Sequence, residues 1–518
     1  MKKRLLLCVL ALSVLPVVAQ TRNQVSNDIL ETYNTMIAAD PANADLYLSR
    51  AGQYQSIGRY AEALDDLNRA LQFDKGSDKS TRYAILCRRA NIRRITADID
   101  GAIADLSEAI GYFPEELSAI DTRARLLLSR GDYDGARADF NRIRRIMPRD
   151  QQAIFGLARV EALSGNSDKA IELANEAAGI YPSKGSSFIG RAEILKALGR
   201  PKDAIDQYIR ALFCNDASAS EAAQKLVDLS YEDYASVAEG YDRAILEKPT
   251  AGILYYLRGS TSAAHNHHLQ ALEDMNHIDG TGPFAGGALN VARAESMFAL
   301  GRYPEALKLL ADTPAARRNS SYYSILSRVQ LASGDKDNAL EAASQALRLM
   351  PESAEAMANK ARVLMAMGRN DEASSILAEA ILTDSSKPIY YLLRAAATGN
   401  KDFYEQMLEL PYEPSDPNSL RGFAYLGAGQ PEQARAWISS VMLLASDSDG
   451  SASYIAAALS AQLGDTDAAF RHMEQALKRG YSNAYQWISD NTPLLTVAPL
   501  RSQPKFAEIL DNYASIFR

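Results

Sequence analysis

The chain reads as an all-α array of stacked helical hairpins, and three observations predict it. Small residues recur with a period of 34: Ala124, Ala136 and Pro148 are followed by Ala158, Ala170 and Pro182, then by Ala192, Ala204 and Asp216. A period of this size marks a solenoid, because each repeat buries its apolar face only against its neighbours. Gly58, Gly131, Gly165 and Gly199 stand midway through their repeats, where a left-handed cap ends one helix before the next begins. Hydrophobic residues make up 47% of the 518, the proportion of a folded chain and not of a disordered one.

Taken in order, the N-terminus comes first. Lys2-Lys3-Arg4, the apolar run Leu5 to Pro16 and the small-residue site Val17-Val18-Ala19 predict a cleaved signal peptide over residues 1–19, hence export, most simply to a periplasm. The run is too short for a membrane span, and no second candidate follows it. The formal net charge of −8 becomes more negative once Lys2, Lys3 and Arg4 are removed. That balance argues against nucleic acid and anionic membrane as partners, since both require a basic surface. Cys87 and Cys214 fall in different repeats with whole repeats between them, so they predict two small buried side chains and no disulfide.

The repeats then follow one template. Helix A carries a large residue at position 4 and a small one at position 8, while helix B carries Ala at 20, a large residue at 24 and a small one at 27. In the first unit, Ala44 to Lys75, these are Tyr47, Ala51, Ala63, Leu67 and Ala70, with Gly58 between the helices. After an insert at Gly76 to Ser80 come Leu86, Ala90, Ala102, Leu106 and Ala109, then Ile120, Ala124, Ala136 and Phe140. Ile154, Ala158, Ala170 and Ala177 follow, then Phe188, Ala192, Ala204 and Tyr208. Later copies drift, through Tyr241, Tyr255, Ala294, Tyr323 and Met357, to weak units at Ile389 to Leu410, Gly429/Ala434 and Gly464/Ala469. Gly280 to Gly287 predicts a linker or hinge, so the organisation expected is residues 20–279 as a first array, 280–480 as a second, and 481–518 as a helical cap over the last hairpin.

With so many copies in register, the chain resembles the tetratricopeptide repeat family over nearly all of its mature length. The resemblance implies a right-handed superhelix of about a dozen hairpins whose inner face is lined mainly by helix A. It also implies a non-catalytic scaffold binding a protein or peptide, or a subunit docked on an envelope complex that handles secreted substrates or glycans.

Position 7 carries Arg50, Arg89, Arg123, Arg191 and Arg258, and sixteen residues later stand Asp66, Asp105, Asp139, Gln207 and Asp274. Where position 7 is Leu157, its counterpart is Leu173. The pattern predicts contact across each hairpin, which removes these arginines from the functional list. Arg293 and Lys360 break the rule, facing Leu309 and Ile376. Position 9 is variable: Gly52, Asn91, Arg125, Arg159, Glu193, Ser260, Glu295, Arg328 and Arg362. Variability next to the small position 8 suits a surface set by a partner. The candidate partner-binding residues are therefore Asn91, Arg125, Arg159, Glu193, Arg293, Glu295, Arg328, Lys360 and Arg362.

Catalytic and cofactor signatures are missing. Gly280 to Gly287 lacks the strand and the Lys-Ser/Thr end of a phosphate loop, and no nucleophile elbow or zinc-protease helix occurs. The acids of Pro411 to Pro417 sit in a proline-rich connector. His265, His267, His268 and His277 form the one cluster with metal-ligand chemistry, but their spacing matches no standard zinc pattern. No metal, cofactor or catalytic residue is assigned.

Overall fold

The computed structural model describes residues 28–74, 78–214, 216–279, 287–412, 419–444, 447, 449–492 and 494–517. The signal segment, most of the glycine-rich stretch and most of the proline-rich connector lie outside these residues. Helices, turns and connecting loops account for every described residue, with no strand among them. The chain divides into two compact units, the boundary falling between Ser218 and Ala219 in the sequence.

The first unit is a helix at 28–39 followed by five hairpins: Ala44–Ser56 with Tyr60–Phe73, Lys79–Ile95 with Ile99–Tyr112, Leu117–Ser129 with Tyr133–Ile146, Gln151–Leu163 with Ser167–Ile180, and Gly185–Ala197 with Pro201–Ala211. Each turn is built locally. Gly131 adopts φ +84° and ends helix A, and the next residue, Asp132, caps helix B by accepting from the Gly135 N–H at 3.0 Å. Where the glycine is missing, Ala97 (φ 65°) and Asn266 (φ 59°) take the same conformation, asparagine being the usual substitute. The alanines of the period are where helices cross: Ala51, Ala63, Ala124, Ala136, Ala158, Ala170, Ala192 and Ala204 have no exposed surface. Phe140, 1% exposed, fills the space that those small residues leave, a burial worth about 2–3 kcal/mol. Cys87 and Cys214 are free and only half-buried, a correction to the buried thiols expected. Burial still pushes both thiols up.

The second unit continues with Ser218–Glu232 and Tyr234–Glu247, separated by Asp233 alone, then Gly252–Ala264 with His268–Asn276. Helices on either side of the glycine-rich stretch belong to this unit, where Met275 and Ile278 pack on Leu289. The array runs on through Gly287–Ala299 and Tyr303–Ala311, Ser320–Ala332 and Lys336–Leu349, and Ala354–Ala366 and Asn370–Thr383. It ends with Pro388–Thr398 and Asp402–Leu408, Arg421–Gly427 and Pro431–Leu444, and Ser451–Gln462 and Thr466–Lys478. The tail then covers the last hairpin: Trp487, Val497, Leu500 and Phe506 join one core with Ala457, Phe470 and Met473. That covering satisfies an apolar face with no further repeat to stack on it. No helix among the described residues is long and apolar enough to cross a membrane.

Candidate functional site

Two sets of helix A side chains have to be separated first. The position-7 arginines make bidentate forks to buried aspartates. Arg50 reaches Asp66 at 2.7 and 2.6 Å, Arg89 reaches Asp105 at 2.9 and 2.5 Å, and Arg123 reaches Asp139 at 2.8 and 2.6 Å. Arg258 does the same with Asp274. Each fork leaves Nη1 free, and that arm donates to the preceding repeat: to Asn34, Asn68, Ser107 and Asp242 in turn. The arginine is thus a tie between repeats as well as within one, which the sixteen-residue spacing does not disclose. The fifth copy departs from the rule: Gln207 Oε1 is buried with no hydrogen-bond partner, so Arg191 makes no such tie.

Position 9 sits elsewhere. In the first unit its side chains are engaged on their own repeats: Asn91 accepts from Arg94 at 2.9 Å, Arg125 pairs with Asp121 at 2.7 Å on an exposed face, and Glu193 accepts from the Tyr208 hydroxyl at 2.8 Å. Arg159 is exposed. In the second unit the series converges. Glu295, Arg328 and Arg362, from three successive repeats, line contiguous hollows of about 440, 390 and 510 Å³, and Arg328 borders all three. Ser260 lines the third. The Arg328 guanidinium lies over the Phe298 ring at 4.6 Å. Arg362 Nε is buried with no hydrogen-bond partner. Burial lowers the Arg362 pKa, and burial, helped by the nearby Glu355 charge, raises the Glu295 carboxyl.

The two rule-breaking cations divide. Arg293 donates to Met275 O at 2.6 Å and Ile278 O at 2.8 Å, satisfying carbonyls at the end of helix His268–Asn276. Its role there is to hold a helix end. Lys360 is half-buried beside Glu372, whose pKa is lowered chiefly by the Arg369 hydrogen bond and slightly by Lys360.

Models of the tetratricopeptide repeat match residues 122–184, 330–397 and 419–439. Over those three stretches the chain is built of tetratricopeptide repeats. No curated protein matches the chain. Among solved structures it is similar to YrrB, described as a tetratricopeptide protein with an unusual peptide-binding site, at 16% identity and TM-score 0.29 over 38% of this chain and 99% of that one. It is similar to a tetratricopeptide repeat protein from Parabacteroides merdae at 14% identity and TM-score 0.29, over 62% of this chain and 98% of that one. For yeast Tom70 the figures are 15% identity and TM-score 0.37, over 82% and 95%.

Within this tetratricopeptide array the tail does something the repeats do not announce. Past the last hairpin it returns to the second hairpin of its unit: Ser482 N and Oγ donate to Asn266 O at 3.0 and 2.8 Å, and His268 N donates to Ser482 Oγ at 2.8 Å. Tyr485 packs on Phe298 at 4.5 Å, and Tyr303 and Ser489 share a hydrogen bond of 3.2 Å. Asn483, Tyr485, Gln486 and Asp490 thereby become walls of the hollow that Arg328 and Arg362 enter. No periodic signal marks these residues.

The histidines belong to the same closure. His265 donates through Nδ1 to Asp449 Oδ2 at 2.9 Å and meets Ser230 Oγ at 3.0 Å through Nε2. Burial would raise Asp449, but hydrogen bonds from His265 and Ser451 hold it below its ordinary value. His267 stacks on Tyr234 at 4.7 Å, and His277 stacks on Tyr255 at 4.9 Å. His268 is buried, with its pKa pushed down to about 3 by burial and by the nearness of Arg328 and His267. His265 and His267 share the Tyr234 ring, both His268 ring nitrogens are buried without a hydrogen-bond partner, and no group of three ligands is assembled among the described residues.

Proposed function

We propose that this tetratricopeptide protein is a non-catalytic, exported scaffold that holds a protein partner on its helix A surfaces. The observation that carries the reading is the convergence of Glu295, Arg328 and Arg362 on contiguous hollows. Packing does not dictate position 9, whereas it does dictate positions 8 and 7, so charged residues clustered there are free to serve recognition. Exposed Arg159 offers a second contact in the first unit. Export rests on the charged, apolar and small-residue segments of residues 2–19.

The test is site-specific photocrosslinking in the native cell. A crosslinking residue at Ser321, which borders two of the hollows, is expected to give one discrete adduct, abolished by Arg328→Glu with Arg362→Glu. A control at Leu382, 87% exposed at the end of its helix, is expected to give none. Adducts only at Leu382 would place the partner elsewhere. N-terminal sequencing of the isolated protein is expected to begin at Gln20.

A further inference from the structure

The hollow of about 440 Å³ differs in chemistry from its neighbours. Arg328, Arg362 and Lys387 reach it, and one acid, Asp490, lines it as well; Asp490 Oδ1 accepts from Thr492 N at 2.9 Å and Thr492 Oγ1 at 2.7 Å, while its charge also acts on Arg362. Glu295 and Glu355 lie on the other side of the two arginines, in the adjoining hollow. The lining also includes an apolar and aromatic set: Phe298, under the Arg328 guanidinium, with Ile389, Ile455, Tyr485 and Leu495. A volume of about 440 Å³ is within the range of small-molecule sites.

We propose that this hollow, which shares Arg328 and Arg362 with the partner surface proposed above, is itself a binding site for a small monoanionic carboxylic acid with an aromatic or apolar body. Three features choose that chemistry. Arg362 Nε is a buried donor that lacks an acceptor, and planar guanidinium groups match carboxylate geometry. The acids behind the arginines oppose a second negative charge, which disfavours a phosphate. The chain's own tail forms one wall, so the space takes a compact molecule in place of an extended strand.

Calorimetric titration of the full chain tests this with 3-phenylpropanoate, 3-phenylpropanamide and phenyl phosphate. The acid is expected to bind, the amide and the phosphate to bind at least about tenfold more weakly, and Arg362→Met or Arg328→Met to cost the acid about tenfold or more, as for charge-assisted pairs. Arg362→Lys, which keeps the charge but not the fork, is expected to retain part of the affinity. Lys169→Met, which removes an exposed surface cation of the first unit, is expected to leave it unchanged. Circular dichroism melts of each variant separate lost binding from lost folding. Equal binding of acid and amide, preference for the phosphate, no binding of the acid, or wild-type binding by folded Arg362→Met would each overturn the proposal. Acid binding without the Ser321 adduct would support this site and end the partner reading; the adduct without acid binding would do the reverse.

Discussion

Positions 7 and 9 lie two residues apart on the same helices, roughly 200° around the axis, and their arginines have opposite fates. In the first unit Arg50, Arg89 and Arg123 face the hairpin interior and each is neutralised by a buried aspartate. In the second, Arg328 and Arg362 face the inner hollow, where Arg328 lies over an aromatic ring and Arg362 keeps a donor without an acceptor. The contrast separates charge that holds the repeats together from charge that is kept available. Neutralised arginines repeat with the period because packing repeats. The available ones occur where the tail has closed the array, and they vary because no packing rule fixes them.

The largest effect is expected from opening that closure. Trp487 has no exposed surface, stands edge-on to Tyr454 at 4.8 Å and donates to Tyr481 O at 3.4 Å. Trp487→Ala is expected to destabilise the second unit by about 4 kcal/mol and to make the segment after Gly480 sensitive to protease. A loss below about 1 kcal/mol would mean that the tail is not what holds the hollow shut.

Next comes the neutralised set. Asp139 is 4% exposed and takes both arms of Arg123. Asp139→Ala leaves a partly buried cation alone and is expected to cost about 3 kcal/mol in urea unfolding, with Arg123→Leu added to it restoring part of the loss. Strictly additive losses would refute the contact's energetic role.

A pH effect of intermediate size belongs to the closure. His268 has a folded pKa of about 3 against an ordinary 6.5, so the unfolded chain takes up the proton first as pH falls. Stability from this group is complete above 6.5 and is lost as pH falls towards 3. Between about pH 7 and about pH 5 the second unit is expected to lose about 2 kcal/mol. His268→Gln is expected to remove that share of the slope, and an unchanged slope would assign the titration to another group.

How much of this could be read from residues alone follows the same division. The hairpins were legible because small residues must recur wherever helices cross, and Ala124, Ala136, Ala158 and Ala170 do. The Arg–Asp forks were legible because both partners lie at one fixed offset within a hairpin. Arg293 was not, because its acceptors are the carbonyls of Met275 and Ile278, and a backbone group leaves no residue type to covary with. The closure was not legible either: Asn266 and Ser482 are joined across 216 residues by groups that any turn and any serine would supply. The hollow inherits that opacity, since six of its 17 lining residues come from the non-repeating tail.

The smallest expected effect is the sharpest test of the comparison. In the fifth repeat, Gln207 stands where other copies carry aspartate, and its buried Oε1 is unpartnered. Arg191 lines the same polar hollow of the first unit, together with Arg200, Arg210, Asp203 and Asp206. If position 7 is cationic in order to pair, Gln207→Asp supplies the missing carboxylate at the register that Asp66, Asp105 and Asp139 occupy. It is expected to stabilise the first unit by about 1 kcal/mol in urea unfolding, with Arg191→Leu abolishing the gain. The gain stays small because desolvating the new carboxylate offsets most of the attraction, and because Asp203 and Asp206 repel it. A net loss that Arg191→Leu does not alter would show that Arg191 resembles Arg362, a cation left unpaired at the end of its unit, and the line between the two sets would then run through the fifth repeat.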